Sequence, residues 1–185
     1  MEMLKEMAKF GKKLVESGLV SSQFGNISVR VDNKMIITKR GAMLDEISDG
    51  GVIEIDLEES KNFDLKASIE ATVHREVYRS TSALAVIHAH PPYAVVGSLM
   101  VRGKNIKPMD CEGLYLLHEI PIVEGETGTK QLAEVVSYAL QDHKGVIVRG
   151  HGTFAIGETL EEAYVVTSMI EHSCKVKYLC SMVMR

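Results

Sequence analysis

His88, Ala89 and His90 follow the apolar run Ala83 to Ile87 and are followed at once by Pro91 and Pro92. Histidines at i and i+2 share one face of an extended backbone, so both imidazoles can reach a single ion. Taken alone, the pair fits two hydrogen-bonded histidines at a strand end equally well. His151 adds a third imidazole between Gly150 and Gly152, where missing Cβ atoms let the backbone approach a ligand closely. Three neutral imidazoles leave one coordination position open, as in a catalytic zinc that polarises a carbonyl or hydroxyl as a Lewis acid. The expected metal ligands are therefore His88, His90 and His151. Zn2+ is the expected ion, although cobalt, nickel and iron also suit imidazole.

Glu70 is the next group able to do chemistry. The sequence places it one turn inside a helix that Ser68 can cap, and a carboxylate beside a metal can serve as general base or as a displaceable ligand. His74, four residues on, shares that face and is expected to support Glu70 rather than to bind metal. His118, His143 and His172 carry no such context and are expected to lie outside the site. Cys111, Cys174 and Cys180 form an odd set without C-x-x-C spacing, which indicates small buried residues rather than disulfides or a structural zinc site.

The elements that must hold these residues can be read along the chain. Glu2 to Ser17 has apolar residues at three- and four-residue spacings and predicts an amphipathic helix stopped by Gly18. Asn26–Val31 and Lys34–Thr38 are β-rich runs joined by Asp32-Asn33, a hairpin pattern. Val52 to Leu57 predicts a strand, Ser68 to Arg79 a helix, and Ala83 to His90 a strand ended by Pro91-Pro92. Pro92 then opens a helix to about Val101. Thr129 to Asp142 predicts a helix, Gly145 to Arg149 and Thr153 to Ile156 paired strands, and Leu160 to Met184 a closing helix. Hairpins at both ends favour a layered α/β domain with a largely antiparallel or mixed sheet over a doubly wound parallel one.

Length and composition set the outer bounds. The 185 residues, 45% apolar and 25% charged, fit one globular domain over 1–185 without disordered tracts. A net charge of −4 and few aromatics argue against nucleic acid as a partner. Charges among the first seven residues break any secretory apolar region, and no segment has the length of a membrane span. A cytoplasmic protein with no membrane partner is expected.

Gly25-Asn26-Ile27-Ser28, Thr38-Lys39-Arg40-Gly41, Ser68-Ile69-Glu70, His88-Ala89-His90-Pro91 and Gly150-His151-Gly152 stand in the order and spacing of the class II aldolase and adducin head family, which the chain resembles over nearly its whole length. The resemblance implies a three-layer α/β/α domain with a central, mainly antiparallel sheet flanked by helices. It also implies a homotetramer with active sites between subunits, zinc on His88, His90 and His151, and Glu70 as catalytic acid/base. It further implies that the phosphate of a phosphorylated sugar is held by Asn26, by Arg40 with Gly41, and by Ser68. Amide and hydroxyl donors with one added cation suit a phosphate dianion.

Some positions depart from the family pattern. Ile69 replaces a second serine, and Lys39-Arg40 replaces a Pro and Ser/Thr pair, so the phosphate site looks rebuilt around charge. Where family aldolases carry a tyrosine after the H-x-H helix, this chain has Met109-Asp110-Cys111-Glu112-Gly113. Glu112 resembles the acid/base glutamate of the related methylthioribulose-1-phosphate dehydratases and is taken as the second candidate catalytic residue, a solvated loop carboxylate being the other possibility. The expected reaction is cleavage of a ketose 1-phosphate, with fuculose 1-phosphate as the type substrate, to dihydroxyacetone phosphate and an aldehyde such as lactaldehyde. A dehydratase of the methylthioribulose-1-phosphate kind is the alternative, followed by a sugar-phosphate 4-epimerase. A non-catalytic adducin-like scaffold is the reading of a different class; it predicts a lost metal triad, whereas the three histidines and Glu70 are all in place.

Overall fold

The computed structural model describes residues 2–58 and 66–183. Met184, expected as the end of the closing helix, lies outside the described residues. Helix α1 (Glu2–Glu16) buries Met7, Phe10 and Leu14. It ends at Gly18, where Gly18 N–H donates to Val15 O and Leu19 N–H to Leu14 O at 3.0 and 2.9 Å, the bond pair of a Schellman stop. Strands β1 (Asn26–Val31) and β2 (Lys34–Thr38) form the expected hairpin, turned by Asp32 at φ +53°. They are followed by β3 (Val52–Asp56), α2 (Ala71–Ser80), β4 (Ala85–Ala89), α3 (Pro92–Met100) and β5 (Asn105–Ile106). The remainder is α4 (Cys111–Leu116), β6 (Ile120–Val123), α5 (Lys130–Ala139), β7 (Gly145–Val148), β8 (Gly152–Gly157) and α6 (Leu160–Val183).

The strands form one sheet in the order β3-β2-β1-β4-β8-β7-β6-β5, with every pairing antiparallel except the parallel β6–β7 pair. Strand alternation sends Val86 of β4 and Phe154 of β8 to one face, where they pack with Val73 and Val77 of α2 and Leu132 and Val136 of α5. Ala85, Ile87 and Ala89 go to the other face, against Met7, Phe10 and Leu14 of α1 and Leu160 and Ala163 of α6. Ala94 of α3 and Ile170 of α6 cover Ile147 and Ala155 on that same side. The result is the expected three-layer α/β/α domain, with β4 and β8 at its centre. No described helix is long and apolar enough to cross a membrane.

The helix before the H-x-H strand differs from expectation. Ser68 does not stand at its cap. Glu70 does, and α2 begins at Ala71, because Ser68 is spent on a turn in which its Oγ accepts from Glu70 N–H at 3.3 Å and its carbonyl from Ala71 N–H at 3.0 Å. Strand β5, helix α4 and strand β6 were not expected.

Candidate active site

His88 occupies the centre of the sheet, two per cent exposed, opposite Asn26 on β1 and Phe154 on β8. Its Nδ1–H donates to the Thr153 carbonyl at 2.9 Å, which fixes the tautomer and turns the Nε2 lone pair outward. His90, just past the strand end on the same side of the pleat, brings its Nε2 to 3.0 Å from that atom. His151 enters from the β7–β8 turn. One ring nitrogen from each of the three lies within 4.8 Å of the others.

Two glycines are required for this approach. A Cβ on Gly152 would fall 2.3 Å from Ala89 O and 2.8 Å from His90 Cδ2. Gly25, at φ +74°, passes so close to the H-x-H strand that a Cβ would meet His88 O at 2.5 Å.

Burial holds all three imidazoles neutral. His88 is pushed well below the usual histidine range by burial first and then by His90 and His151. His90 falls to about 4, by burial and then by His151, and His151 is lowered by burial. Three neutral nitrogen donors suit a borderline divalent ion, and the buried Nδ1 of His151 has no hydrogen-bond partner among the described residues. The residues present therefore fit the metal that the sequence implied.

A cleft of about 380 Å³ opens over the cluster. Its lining brings together Asn26 at the start of β1, Arg40 and Gly41 in the turn after β2, Ser68 and Glu70 before α2, and all three histidines. Asn26 is buried, and its Oδ1 has no hydrogen-bond partner among the described residues. The Arg40 side chain is exposed and makes no hydrogen bond or ion pair with another described residue, whereas Lys39, which also lines the cleft, donates to Gly50 O at 2.8 Å.

Both carboxylate oxygens of Glu70 are buried without a hydrogen-bond partner among the described residues. Burial pushes its pKa up to about 7, and the Gly128 backbone N–H, short of full hydrogen-bond geometry, pulls only weakly the other way. A carboxyl poised near neutrality can both give and take a proton.

Glu112 does not line this cleft. It is exposed in the first turn of α4, behind the Asp110 cap that accepts from Gly113 N–H at 2.8 Å. Cys111 beside it is also exposed, against the expectation of a buried thiol, because α4 is a six-residue surface helix; Cys174 is buried and Cys180 partly so. His118, His143 and His172 all lie away from the cleft, His143 closing the end of α5 by bonding Ala139 O at 3.0 Å.

Sequence reasoning missed several contributors. Phe24 stacks beside His90 with ring centroids 5.8 Å apart, and Thr127 reaches the cleft from the loop before α5. Beneath the cluster, Ser28 Oγ bonds both His74 Nδ1 and Tyr78 OH at 2.7 Å. Burial drives His74 down to about 3 and raises Tyr78, so this network stays uncharged. His74 thus bonds Ser28, not Glu70, through its ring. Alternation along β1 puts Ser28 on the same face as Asn26, but its meeting with His74 and Tyr78 of α2 depends on how the layers stack and left no signal along the chain.

The sequence pattern of the Class II Aldolase and Adducin N-terminal domain family matches residues 5–178. An L-fuculose phosphate aldolase of Methanococcus vannielii is 30% identical over 178 residues, covering 95% of this chain and 96% of the relative. A 5-deoxy-D-ribulose 1-phosphate aldolase of Bacillus thuringiensis serovar kurstaki is 28% identical over 94% of this chain and 83% of its own. Among solved structures, the L-fuculose-1-phosphate aldolase of Thermus thermophilus superposes with a TM-score of 0.92 at 34% identity, covering 98% of this chain and 95% of that one.

Proposed function

The chain belongs to the class II aldolase and adducin N-terminal domain family and is a lyase of the class II aldolase type; from that premise we propose that it cleaves a ketose 1-phosphate resembling L-fuculose 1-phosphate, using zinc, to dihydroxyacetone phosphate and an aldehyde such as lactaldehyde. The observation that carries this reading is the placement of Glu70, neutral-to-ionised near pH 7, in the same cleft as three neutral imidazoles.

His88, His90 and His151 would hold the ion, which when bound supplies a Lewis acid toward the substrate's oxygens. Asn26, Arg40, Gly41 and Ser68 would hold the phosphate, with Arg40 contributing the cation and the others amide or hydroxyl donors. The C3–C4 bond breaks as the C4 hydroxyl loses its proton, and Glu70 returns a proton to C3. In the reverse direction Glu70 removes that proton, for which a pKa near 7 is well matched.

A second group must take the C4 hydroxyl proton. Glu70 is the only carboxylate among the described cleft residues. We assign the second role to a residue supplied by a neighbouring subunit of a homotetramer, with the exposed Glu112 as the candidate.

The test is incubation of zinc-loaded protein with a panel of ketose 1-phosphates, following dihydroxyacetone phosphate by coupled NADH oxidation and all products by mass spectrometry. Dihydroxyacetone phosphate with an aldehyde supports the aldolase. A product smaller than substrate by one water, with no dihydroxyacetone phosphate, would replace it with a dehydratase.

A further inference from the structure

Helix α3 runs between the segments that carry two of the three histidines: it starts two residues after His90, and its far end is held by Arg149, two residues before His151. Pro91 and Pro92 open it. Pro92 at N1 has no N–H to satisfy, so the open donors are those of Tyr93 and Ala94. Glu171, reaching across from α6, takes both, with Oε1 on Tyr93 N–H at 3.0 Å and Oε2 on Ala94 N–H at 2.8 Å.

At the other end, Arg149 donates from one guanidinium to the carbonyls of Ser98, of Val101 at 2.7 Å and of Gly103 at 2.9 Å, while its Nε bonds Glu124 at 2.6 Å. Gly150 N–H, next to His151, donates to Ser98 Oγ at 2.9 Å. An anion at the N-terminus and a cation at the C-terminus both match the helix dipole.

We propose that α3 is a brace that fixes the spacing of His90 and His151, and that Glu171 and Arg149 are positioning residues for the metal centre. The brace rests on the three-histidine metal reading, which it deepens. Neither residue lines the cleft, so each acts through the histidine beside the end it holds. Glutamine at 171 would offer one acceptor to two N–H groups, and lysine at 149 would keep the charge but lose the fork that reaches several carbonyls.

Cobalt is the probe. Full-length metal-free protein is titrated with Co2+ against a competing chelator, with visible absorption recorded and thermal stability measured on the same samples. Arg149→Lys and Glu171→Gln are each expected to weaken Co2+ binding about tenfold or more and to alter the absorption bands, as loss of outer hydrogen bonds around a ligand does. If one brace transmits both effects, the double variant weakens binding by less than the product of the two.

Leu14→Ala, in the distant α1 core, is the control for stability alone, and is expected to lower the melting temperature with unchanged Co2+ affinity. Should Arg149→Lys fail to fold, Ser98→Ala removes only the hydroxyl that holds Gly150, and a weakening of a few-fold in the same direction is expected. Variants that lose stability as Leu14→Ala does, with wild-type affinity and spectrum, would overturn the brace. A wild-type protein that binds no Co2+ would overturn the metal reading itself, and the brace with it.

Discussion

His88 lies flat against Phe154 across the β4–β8 ladder, with ring centroids 4.2 Å apart and planes 19° from parallel. His74 meets the same phenyl ring edge-on at 5.8 Å. The phenyl ring therefore sets the plane of the central imidazole, and the Thr153 carbonyl sets its rotation. Phe154→Ala should destabilise the protein by about 3–5 kcal/mol in urea denaturation, because the ring is fully buried. It should also weaken metal binding, measured by chelator competition. Unchanged affinity in a folded variant would mean that the carbonyl alone orients His88.

Glu70 should leave a signature in the pH dependence of stability. Its folded pKa, about 7, lies above the ordinary 4.5, so the stability it contributes is fully present below 4.5 and is lost as pH rises through 7. The size is on the order of 3 kcal/mol. His90, lowered to about 4, acts in the opposite sense: its contribution is present above 6.5 and lost as pH falls through 4. Comparing metal-free wild type with Glu70→Gln isolates the first effect. The variant should be the more stable at pH 8 relative to pH 4.5, and with metal restored its turnover should fall about 10²- to 10⁴-fold. Parallel stability curves would show that Glu70 titrates in the ordinary carboxylate range.

Arg40 is the cleft cation with no other described partner, while Lys39 is committed to the Gly50 carbonyl. Arg40→Gln should raise KM for the phosphorylated substrate about tenfold or more with a smaller change in kcat, as expected for loss of a charged hydrogen bond to a group distant from the breaking bond. Inhibition by inorganic phosphate should weaken in parallel. Lys39→Gln should have the smaller effect on both, and the reverse order would assign the phosphate to Lys39.

The parts of this structure that were legible from the sequence are those governed by local chemistry. Asp32-Asn33 marked the β1–β2 turn, Pro92 marked the first turn of α3, and the i, i+2 spacing of His88 and His90 put both rings on one side of the sheet. The region from Asn105 to Val123 was not legible. Strand β5 is two residues long, α4 is too short to show a helical period, and Pro121 argues against a strand although β6 contains it. Long-range pairings were equally hidden. Ser28 with His74 and Tyr78, Phe154 with His88, and Glu171 with the start of α3 are set by how layers stack, and no spacing along the chain encodes them.

The central claim, that His88, His90 and His151 form a metal centre serving aldol cleavage, is tested most directly by measuring bound zinc and dihydroxyacetone phosphate release from L-fuculose 1-phosphate in one preparation. One zinc per chain is expected, with product formation abolished by chelator, restored by added zinc, and absent with the metal in His151→Ala. Undiminished product formation from a preparation stripped of metal, or from His151→Ala, would contradict it.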